Sequence, residues 1–520
     1  MHASLPEPIS RVPTEEADRV ELSTESLPLK RYEETARRLL ILVALYAIPA
    51  IVVMHPVDDY DIWWHLRTGQ WIVEHKALPT TDPFSTFGQG KPWVAYSWLF
   101  EVCIYGLYQK LGLSGILLYR IVMSYAVAVA IHRFVTKREP RFVVASVWSI
   151  LAFLSVAPLM TERPWLLTII LFTVTLDNVL ELRSGRNTRT VWLLPLLYAI
   201  WANLHIQFVY GLFLLVLASA ELPITRILGG LVPGADVDRP STQTWWRLVA
   251  LTVCCLLATL FNPYHVRLYG IVLDFAAQSG AYKLISELQA MDFRDVTSWT
   301  VLTLSFAASF ALGRQRLSIF KGLLLISAAY LAFRSQRDIW FMILTAVAIL
   351  TDGGSARRLV TDRFTMTRSR VILVVAGVIM VLAVLGWERG LSPKHLEEAV
   401  GDKFPAKAAA FIEEHGYGGP LFNDFDWGGY LIWRLPTLPV SMDGRTNVHD
   451  GDRILRSCQT WNGMSGWDSD VELEAARLVL AQSHFPLVSL LRHDPRVELV
   501  YEDKLAVVFV AGSARPPGSL

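Results

Sequence analysis

The chain has 520 residues, of which 53% are apolar and only 18% are charged, and its mean hydropathy is +0.37. Soluble domains carry about 25% charged residues, and a formal charge of +1 excludes a basic nucleic-acid-binding protein or an acidic disordered protein. Four cysteines exclude a disulfide scaffold. We therefore expect a polytopic α-helical membrane protein.

Residues 1–37 are rich in Pro, Glu and Ser. They predict a disordered cytoplasmic tail and not a secretory signal. Apolar runs near the minimum of about 17 residues for a spanning helix then recur. They predict about eleven spans in a transmembrane domain at residues 38–386. The predicted spans are 38–55, 113–135, 142–160, 164–182, 190–204, 207–223, 246–262, 298–313, 318–334, 337–351 and 370–386.

The stretch 95–111 is apolar but rich in Tyr and Trp, and it contains Glu101. It could be a twelfth span, but we interpret it as a helix at the membrane interface, within an external loop at 56–112. With eleven spans, nearly every loop rich in Lys and Arg lies on one side of the membrane, as the positive-inside rule requires. The N-terminus is then predicted to be cytoplasmic and the C-terminal region extracytoplasmic.

The last part of the chain, residues 387–520, has an ordinary charge density. Its short alternating patterns predict one extracytoplasmic α/β domain. We expect helices at 405–414 and 472–482. We expect strands at 431–435, 439–442, 497–501 and 505–510.

Polar residues gather at the predicted external ends of the spans. Ionisable groups at such positions predict a functional cavity, although aromatic, Arg and His side chains also anchor helices at an interface. The supporting residues are His65, Glu162, Asn203, Asn262, Tyr264 and His265.

Asp59 and Asp61 are the strongest catalytic candidates. Two carboxylates spaced i, i+2 could accept a proton from an alcohol, or could hold a divalent metal ion through oxygen ligands. Aspartate at this position could instead cap the helix that follows. No cofactor is certain from the sequence.

Arg163, His205, Arg334 and Arg337 supply positive charge or hydrogen-bond donors on the same side. Guanidinium groups match phosphate geometry, so these residues are predicted to bind an anionic group. The alternative is that Glu162–Arg163 and Arg337–Asp338 are local charge pairs.

Five segments stand out along the chain. They are DYDIWWHLRTGQWIVEHKALPTTDPFS at 59–85, WANLH at 201–205, FNPY at 261–264, FNDFDWGGYL at 422–431 and DGR at 443–445. These segments resemble the C-type (GT-C) membrane glycosyltransferases, a group that includes protein O-mannosyltransferases and the aminoarabinose transferases of lipid A. The first segment is similar to a bacterial branch of this group, and the other four fit the same branch.

The resemblance implies a GT-C-like fold in the bacterial inner membrane and an inverting sugar transfer at its outer face (enzyme class 2.4). The donor would be a sugar on a polyprenyl phosphate, and the acceptor an unknown glycan, lipid or protein. Asp59 matches the first acid of the family's loop motif and would act as the base, with Asp61 assisting or binding a metal ion. Relatives differ in the spacing of these acids, so Asp58 also stays a candidate.

Two other classes of protein remain open. A transporter would place its binding groups near the bilayer midplane on repeated units, which the sequence does not show. A non-catalytic assembly or sensor protein would bind a partner through its C-terminal domain.

In that domain Asp426, Tyr430, Asp443 and Arg445 are predicted to face a carbohydrate acceptor. Alternatively, Gly428, Gly429 and Gly444 only make turns, and Asp426 pairs with Arg445. If the domain holds the acceptor, deleting residues 390–520 should abolish transfer but leave lipid-donor binding measurable.

Overall fold

The computed structural model describes residues 15–186, 189–228, 238–277, 285–316, 318–352 and 364–512. Its helices are α1 (Glu15–Val53), α2 (Ile62–His75), α3 (Trp98–Leu111), α4 (Leu113–Thr136), α5 (Phe142–Val156), α6 (Trp165–Arg183), α7 (Leu194–Leu204), α8 (Phe208–Leu228), α9 (Thr242–Ala258), α10 (Arg267–Ala277), α11 (Val296–Gly313), α12 (Ile319–Arg334), α13 (Ile339–Thr351), α14 (Arg368–Glu388), α15 (Pro393–Lys403), α16 (Ala406–Glu414), α17 (Phe425–Arg434), α18 (Gly451–Trp461), α19 (Val471–Ala475) and α20 (Pro486–Leu491). Its strands are β1 (Leu421–Asn423), β2 (Leu478–Gln482), β3 (Val497–Glu502) and β4 (Ala506–Ala511).

The predicted class, a polytopic α-helical membrane protein with a C-terminal α/β region, is confirmed. Each of the eleven predicted spans contains a helix. Within the described residues, seven helices are long and apolar enough to cross a membrane. They are Tyr32–Val53, Leu113–Thr136, Phe142–Leu159, Trp165–Arg183, Phe208–Ile227, Val296–Gly313 and Arg368–Glu388. Four others, α7, α9, α12 and α13, are shorter, with 11 to 17 residues.

The N-terminal helix differs from its prediction. Helix α1 begins at Glu15, inside the segment predicted to be disordered, and residues 1–14 lie outside the described part of the chain. Glu, Leu, Arg and Ala are frequent in residues 15–37, and their helix propensity outweighs the polar composition on which the prediction depended.

The burial of the helices separates core from membrane-facing elements. Helix α13 has twelve of its thirteen residues buried, and its Trp340 and Phe341 rings pack edge-on against Phe172, with centroid distances of 5.0 and 5.1 Å. Helix α14 is equally apolar in character, but Val374 is its one buried residue. An apolar helix exposed all round requires a lipid environment.

The C-terminal sheet has the strand order β1-β2-β4-β3, with β1 and β2 parallel and the other pairs antiparallel. The predicted helix at 405–414 and the strands at 497–501 and 505–510 agree with it. The strand predicted at 431–435 is wrong, because Asp424 caps helix α17 by accepting hydrogen bonds from the backbone N–H groups of Asp426 and Trp427 at 2.9 and 3.1 Å.

Two other predictions in this region are wrong. Residues 472–482 divide into α19 and β2, because β2 is buried on both faces and shows no alternation that would mark a strand. Residues 439–442 form no strand, and Val440 makes only isolated bridges to Ser85 and Leu421.

The loop at 56–112, which is predicted to be external and which we call the first external loop, shares one hydrophobic core with the C-terminal region. Trp63 of α2 packs edge-on against Tyr430 of α17, with ring centroids 5.1 Å apart. Glycines permit this approach: a Cβ on Gly428 would lie 1.9 Å from the Met442 carbonyl oxygen, and one on Gly429 would lie 2.9 Å from the Tyr60 carbonyl oxygen. Helix α17 therefore packs directly against the backbone of Met442 and of Tyr60, which precedes α2.

Candidate functional site

A cavity of about 340 Å³ lies where the first external loop, the ends of the membrane helices and the C-terminal domain meet. Its polar lining includes most of the predicted catalytic and anion-binding residues. The acidic, arginine and histidine side chains of the lining, predicted or not, are those of Asp61, His65, Arg163, His205, Glu287, Arg337, Asp426 and Arg445. Aromatic side chains of Tyr60, Trp64, Tyr96, Trp165 and Phe425 form much of the remaining wall.

Arg163 bridges the two loop carboxylates. Its Nε donates to Asp59 Oδ2 at 2.6 Å, and its Nη1 donates to Asp61 Oδ2. Asp59 Oδ1 also accepts from the backbone N–H of Asp61 at 2.8 Å. Asp61 occupies the N-cap position of α2 but makes no side-chain cap hydrogen bond, so helix capping does not explain its carboxylate. Arg163 does not pair with its neighbour Glu162.

The two aspartates face different spaces. Asp61 lines the 340 Å³ cavity, whereas Asp59 lines an adjoining cavity of about 500 Å³. Burial raises the pKa of Asp61 to about 7, although Arg163 opposes this shift; the nearby charge of Asp59 adds to it. At neutral pH Asp61 can therefore both accept and release a proton.

Arg337 pairs with Glu287, not with Asp338. Its guanidinium lies 5.2 Å from the centre of the Trp165 ring, and that of Arg163 lies 5.0 Å from the same ring. Burial disfavours the charged form of Glu287, but Arg337 and Arg163 more than offset this and lower its pKa. Asp59, Asp61, Arg163, Glu287 and Arg337 together form what we call the carboxylate–arginine cluster.

The remaining anion-binding candidates occupy the edge of the site. Arg334 lines a third cavity of about 210 Å³, which also contacts His205 and Arg337, and it is absent from the lining of the 340 Å³ cavity. His205 Nδ1 lies 2.9 Å from Thr168 Oγ1. Of the four predicted anion-binding residues, the structure thus places Arg163, His205 and Arg337 in the 340 Å³ cavity and Arg334 in the cavity beside it.

His65 and Glu101 form a buried pair, with His65 Nδ1 3.2 Å from Glu101 Oε1. Burial lowers the pKa of His65 and raises that of Glu101. Both shifts favour the neutral forms, so this pair orients the imidazole toward the cavity without adding charge.

Glu162 has a structural role. Arg120 is fully buried in α4, and its Nη1 donates to Glu162 Oε1 at 2.6 Å while its Nη2 donates to the His55 carbonyl oxygen. This pair joins the first external loop to the turn that carries Arg163. Glu162 is absent from the lining of the 340 Å³ cavity.

Four other supporting candidates also lie outside the 340 Å³ cavity. The Asn203 side chain donates to the Phe261 carbonyl at 2.8 Å and accepts from Trp98 Nε1 at 2.9 Å. Asn262 Oδ1 accepts from the backbone N–H of Tyr264 at 2.7 Å. His265 Nδ1 lies 3.0 Å from the Leu260 carbonyl oxygen. These side chains hold turns together because buried backbone groups there need partners.

The C-terminal candidates divide in the same way. Asp426 and Arg445 line the cavity, but Arg445 is fully buried and paired: its Nη1 donates to Asp82 at 2.7 Å and its Nη2 to Asp443 at 2.7 Å. Asp443 is enclosed by these contacts, and Tyr430 packs in the hydrophobic core against Phe404. The alternative pairing of Asp426 with Arg445 is not formed.

A metal ion does not fit the two loop aspartates as they are arranged. The guanidinium of Arg163 already bridges both carboxylates. Within the described ranges, no group of three or more His, Cys, Asp or Glu side chains is arranged to hold a metal ion.

Glu287 is the site residue that sequence reasoning missed. It lies in the connection between α10 and α11, in the same predicted external segment as Asn262 and His265 but further along the chain. The predicted topology therefore placed it on the side of the site, but nothing in its neighbours Ser286 and Leu288 distinguishes it from an ordinary loop acid.

No protein-family model matches the chain, and no curated protein is significantly similar to it. Among solved structures, the archaeal oligosaccharyltransferase AglB from Archaeoglobus fulgidus, with an inhibitory peptide and a dolichol-phosphate, has a TM-score of 0.53 at 10% identity, covering 85% of this chain and 69% of that one. The Archaeoglobus fulgidus oligosaccharyltransferase in the apo form has a TM-score of 0.51 at 10% identity, covering 86% of this chain and 69% of that one. ArnT from Cupriavidus metallidurans bound to undecaprenyl phosphate has a TM-score of 0.43 at 13% identity, covering 92% of this chain and 99% of that one.

The likeness to AglB extends over most of this chain. At 10% identity it concerns the fold. The apolar helices and this likeness together show that the chain is an integral membrane protein with the fold of the GT-C glycosyltransferases.

Proposed function

We propose that the protein transfers a sugar from a polyprenyl-phosphate-linked donor to an acceptor hydroxyl at the extracytoplasmic face of the bacterial inner membrane. The observation that carries this proposal is the cavity in which Asp61, with its pKa raised to about 7, adjoins two arginines that share the Trp165 ring. A solved structure of the same fold contains a dolichol-phosphate. In this assignment the N-terminus is cytoplasmic and residues 387–520 are extracytoplasmic.

We assign the role of general base to Asp61. The resemblance had implied that Asp59 plays this role. Arg163 donates to both carboxylates, but Asp61 lines the 340 Å³ cavity, whereas Asp59 does not and also accepts from a backbone N–H. Asp61 takes the proton of the acceptor hydroxyl as its oxygen attacks the anomeric carbon. The bond from that carbon to the phosphate oxygen breaks with its electron pair on the phosphate, and a single displacement inverts the configuration.

Arg337 and Arg163 stabilise the departing phosphate, because guanidinium groups pair with phosphate oxygens in a bidentate geometry. The adjoining 500 Å³ cavity has an apolar wall that includes Leu159, Met291 and Ile339. We assign the first isoprene units of the donor to this cavity. The phosphate then lies at the membrane surface, where the polar helix ends are.

The direct test is product formation by the purified protein in lipid nanodiscs, supplied with a panel of polyprenyl-phosphate sugars. We expect release of polyprenyl phosphate coupled to a new glycosidic bond, identified by mass spectrometry. Uptake of a solute without group transfer would favour a transporter. An unchanged cellular phenotype with an inactive Asp61 variant would favour a non-catalytic assembly protein.

Arg337→Ala is expected to raise the KM for the lipid donor about 10- to 100-fold, because a hydrogen bond to a charged group contributes about 1.5–3 kcal/mol. Arg337→Lys should restore only part of the loss, since an ammonium lacks the bidentate fork. Steady-state kinetics with varied donor measure the effect, and Arg294→Ala, an exposed arginine of the connection that carries Glu287, is the control. A change confined to the acceptor KM would contradict the assignment.

Gly444→Ala is expected to lower turnover about 100-fold, because an added Cβ would lie 2.0 Å from Asp61 Oδ1 and must displace the base. Gly401→Ala in α15 is the matched control, since a Cβ there meets no atom within 4 Å. Equal activities of the two variants would show that the position of Asp61 against this turn does not matter.

A further inference from the structure

The carboxylate–arginine cluster already contains an excess of negative charge. Three carboxylates, of Asp59, Asp61 and Glu287, contact two guanidinium groups, those of Arg163 and Arg337. With all five groups ionised the net charge is −1. A lipid phosphate that enters this cluster adds a further negative charge in a partly buried site, where repulsion is stronger than in water. This repulsion is avoided if one carboxylate gives up its guanidinium when the phosphate binds.

Glu287 is the carboxylate that can move most easily. Asp59 is held by Arg163 and by a backbone N–H, and Asp61 is confined between Arg163 and Gly444. The Glu287 carboxylate contacts Arg337, and its side chain keeps 29% of its surface exposed. It also lines both the 340 and the 500 Å³ cavities.

The backbone around Glu287 is fixed. The backbone N–H of Gln336 donates to the Gln289 carbonyl at 3.0 Å, and that of Met291 donates to the Phe333 carbonyl at 3.3 Å. These bonds attach the segment to the end of α12. The exchange therefore needs only a rotation of the Glu287 side chain, with no displacement of the loop.

We propose that Glu287 is a resident competitor of the lipid phosphate: its carboxylate occupies Arg337 when the site is empty, leaves when the donor binds, and returns to displace the polyprenyl phosphate product. This inference rests on the proposed function.

The donor and the product differ in charge, and this difference makes a competing carboxylate useful. The donor is a phosphodiester with one negative charge. The product is a phosphomonoester whose second pKa is about 6, so it carries close to two negative charges at neutral pH. Two arginines without a competing carboxylate would hold the product more tightly than the donor. A carboxylate that returns to Arg337 weakens the binding of both but is most useful for releasing the product.

The test is the binding of undecaprenyl phosphate to the full-length protein in nanodiscs at low salt. Glu287→Gln is expected to lower the Kd about five- to tenfold, because it removes the competing charge and keeps the shape. The difference should shrink as salt is added. Asp292→Asn is the matched control: this exposed acid of the same segment accepts from the backbone N–H of Arg294 and is absent from the lining of the cavities. It should leave the Kd unchanged.

A turnover measurement gives a second, independent reading. Glu287→Gln should show stronger inhibition by added undecaprenyl phosphate than the wild type, whereas Asp292→Asn should show the same inhibition as the wild type. A weaker or unchanged affinity in Glu287→Gln would overturn the inference and indicate that Glu287 only positions Arg337. If Arg337→Ala also left the affinity unchanged, the phosphate site of the proposed function would fail as well, so the two failures are distinguishable.

Discussion

Replacement of Asp61 by Asn should reduce turnover by about 100- to 10,000-fold, the usual contribution of a general base. Asn has the same shape but cannot accept the proton of the acceptor hydroxyl. Its amide can still lie beside Gly444, so the fold and the binding of undecaprenyl phosphate should persist. Asp58→Asn is the control, since its half-exposed carboxylate approaches His55 and Arg120 at 3.8 and 3.9 Å.

The pH profile identifies the base independently of the substitution. Burial raises the pKa of Asp61 to about 7, and the active form is the carboxylate. The kcat/KM value should therefore be constant above about pH 7 and should fall about tenfold for each unit below it. Asp59→Asn should lower the rate, because Asp59 holds Arg163, and should move the profile to lower pH, because it removes a charge that helps to raise the pKa of Asp61. A profile that disappears in Asp59→Asn and persists in Asp61→Asn would exchange the roles of the two acids.

Arg445→Ala should destabilise the protein by about 3–5 kcal/mol, because removing one partner of a buried ion pair leaves an uncompensated charge. Arg445 is buried between Asp82 of the first external loop and Asp443 of the C-terminal domain. The substitution leaves both carboxylates without their guanidinium. Chemical denaturation of the purified protein, followed by tryptophan fluorescence, measures the free energy of unfolding.

Arg496→Ala provides the control for this experiment. Arg496 also pairs with an aspartate, Asp494, but half of its side chain is exposed. Exposed pairs contribute about 1 kcal/mol or less, so the control should change little. A loss below about 1 kcal/mol in Arg445→Ala would mean that the loop and the domain are not joined by this contact.

The same junction changes the result expected from deleting residues 390–520. The sequence predicted that lipid-donor binding would survive the deletion. The structure contradicts the separation on which that prediction depended, because Lys403 donates to the Asp58 carbonyl at 2.6 Å and Trp63 packs against Tyr430. Truncation would expose the apolar face of α2, so donor binding should be lost together with transfer.

The apolar runs were sufficient to predict the helical membrane region, since hydrophobic length alone determines which segments can span a bilayer. The shared position of Asp61, Arg163 and Arg337 could also be predicted, because all three were expected at external ends of the spans. Their partners could not be predicted: Arg163 contacts acids about one hundred residues away, and Arg337 contacts Glu287 from another connection.

Helix α17 of the C-terminal region was harder to predict. Gly428 and Gly429 indicated a turn, but they lie inside this helix, at positions where neighbouring backbone leaves no room for a Cβ. The close approach that requires glycine involves Tyr60 and Met442, which are distant in sequence. A glycine pair alone does not distinguish a turn from a tightly packed helix.

The position of Asp61 between Arg163 and Gly444 has a consequence for the newly made protein. Gly444 follows the membrane helices in the chain, so one wall of the cavity is missing until the C-terminal region has docked on the loop that carries Asp61. If the proposed function is right, a chain whose C-terminal region has not docked has no enclosed site in which water could attack the sugar donor.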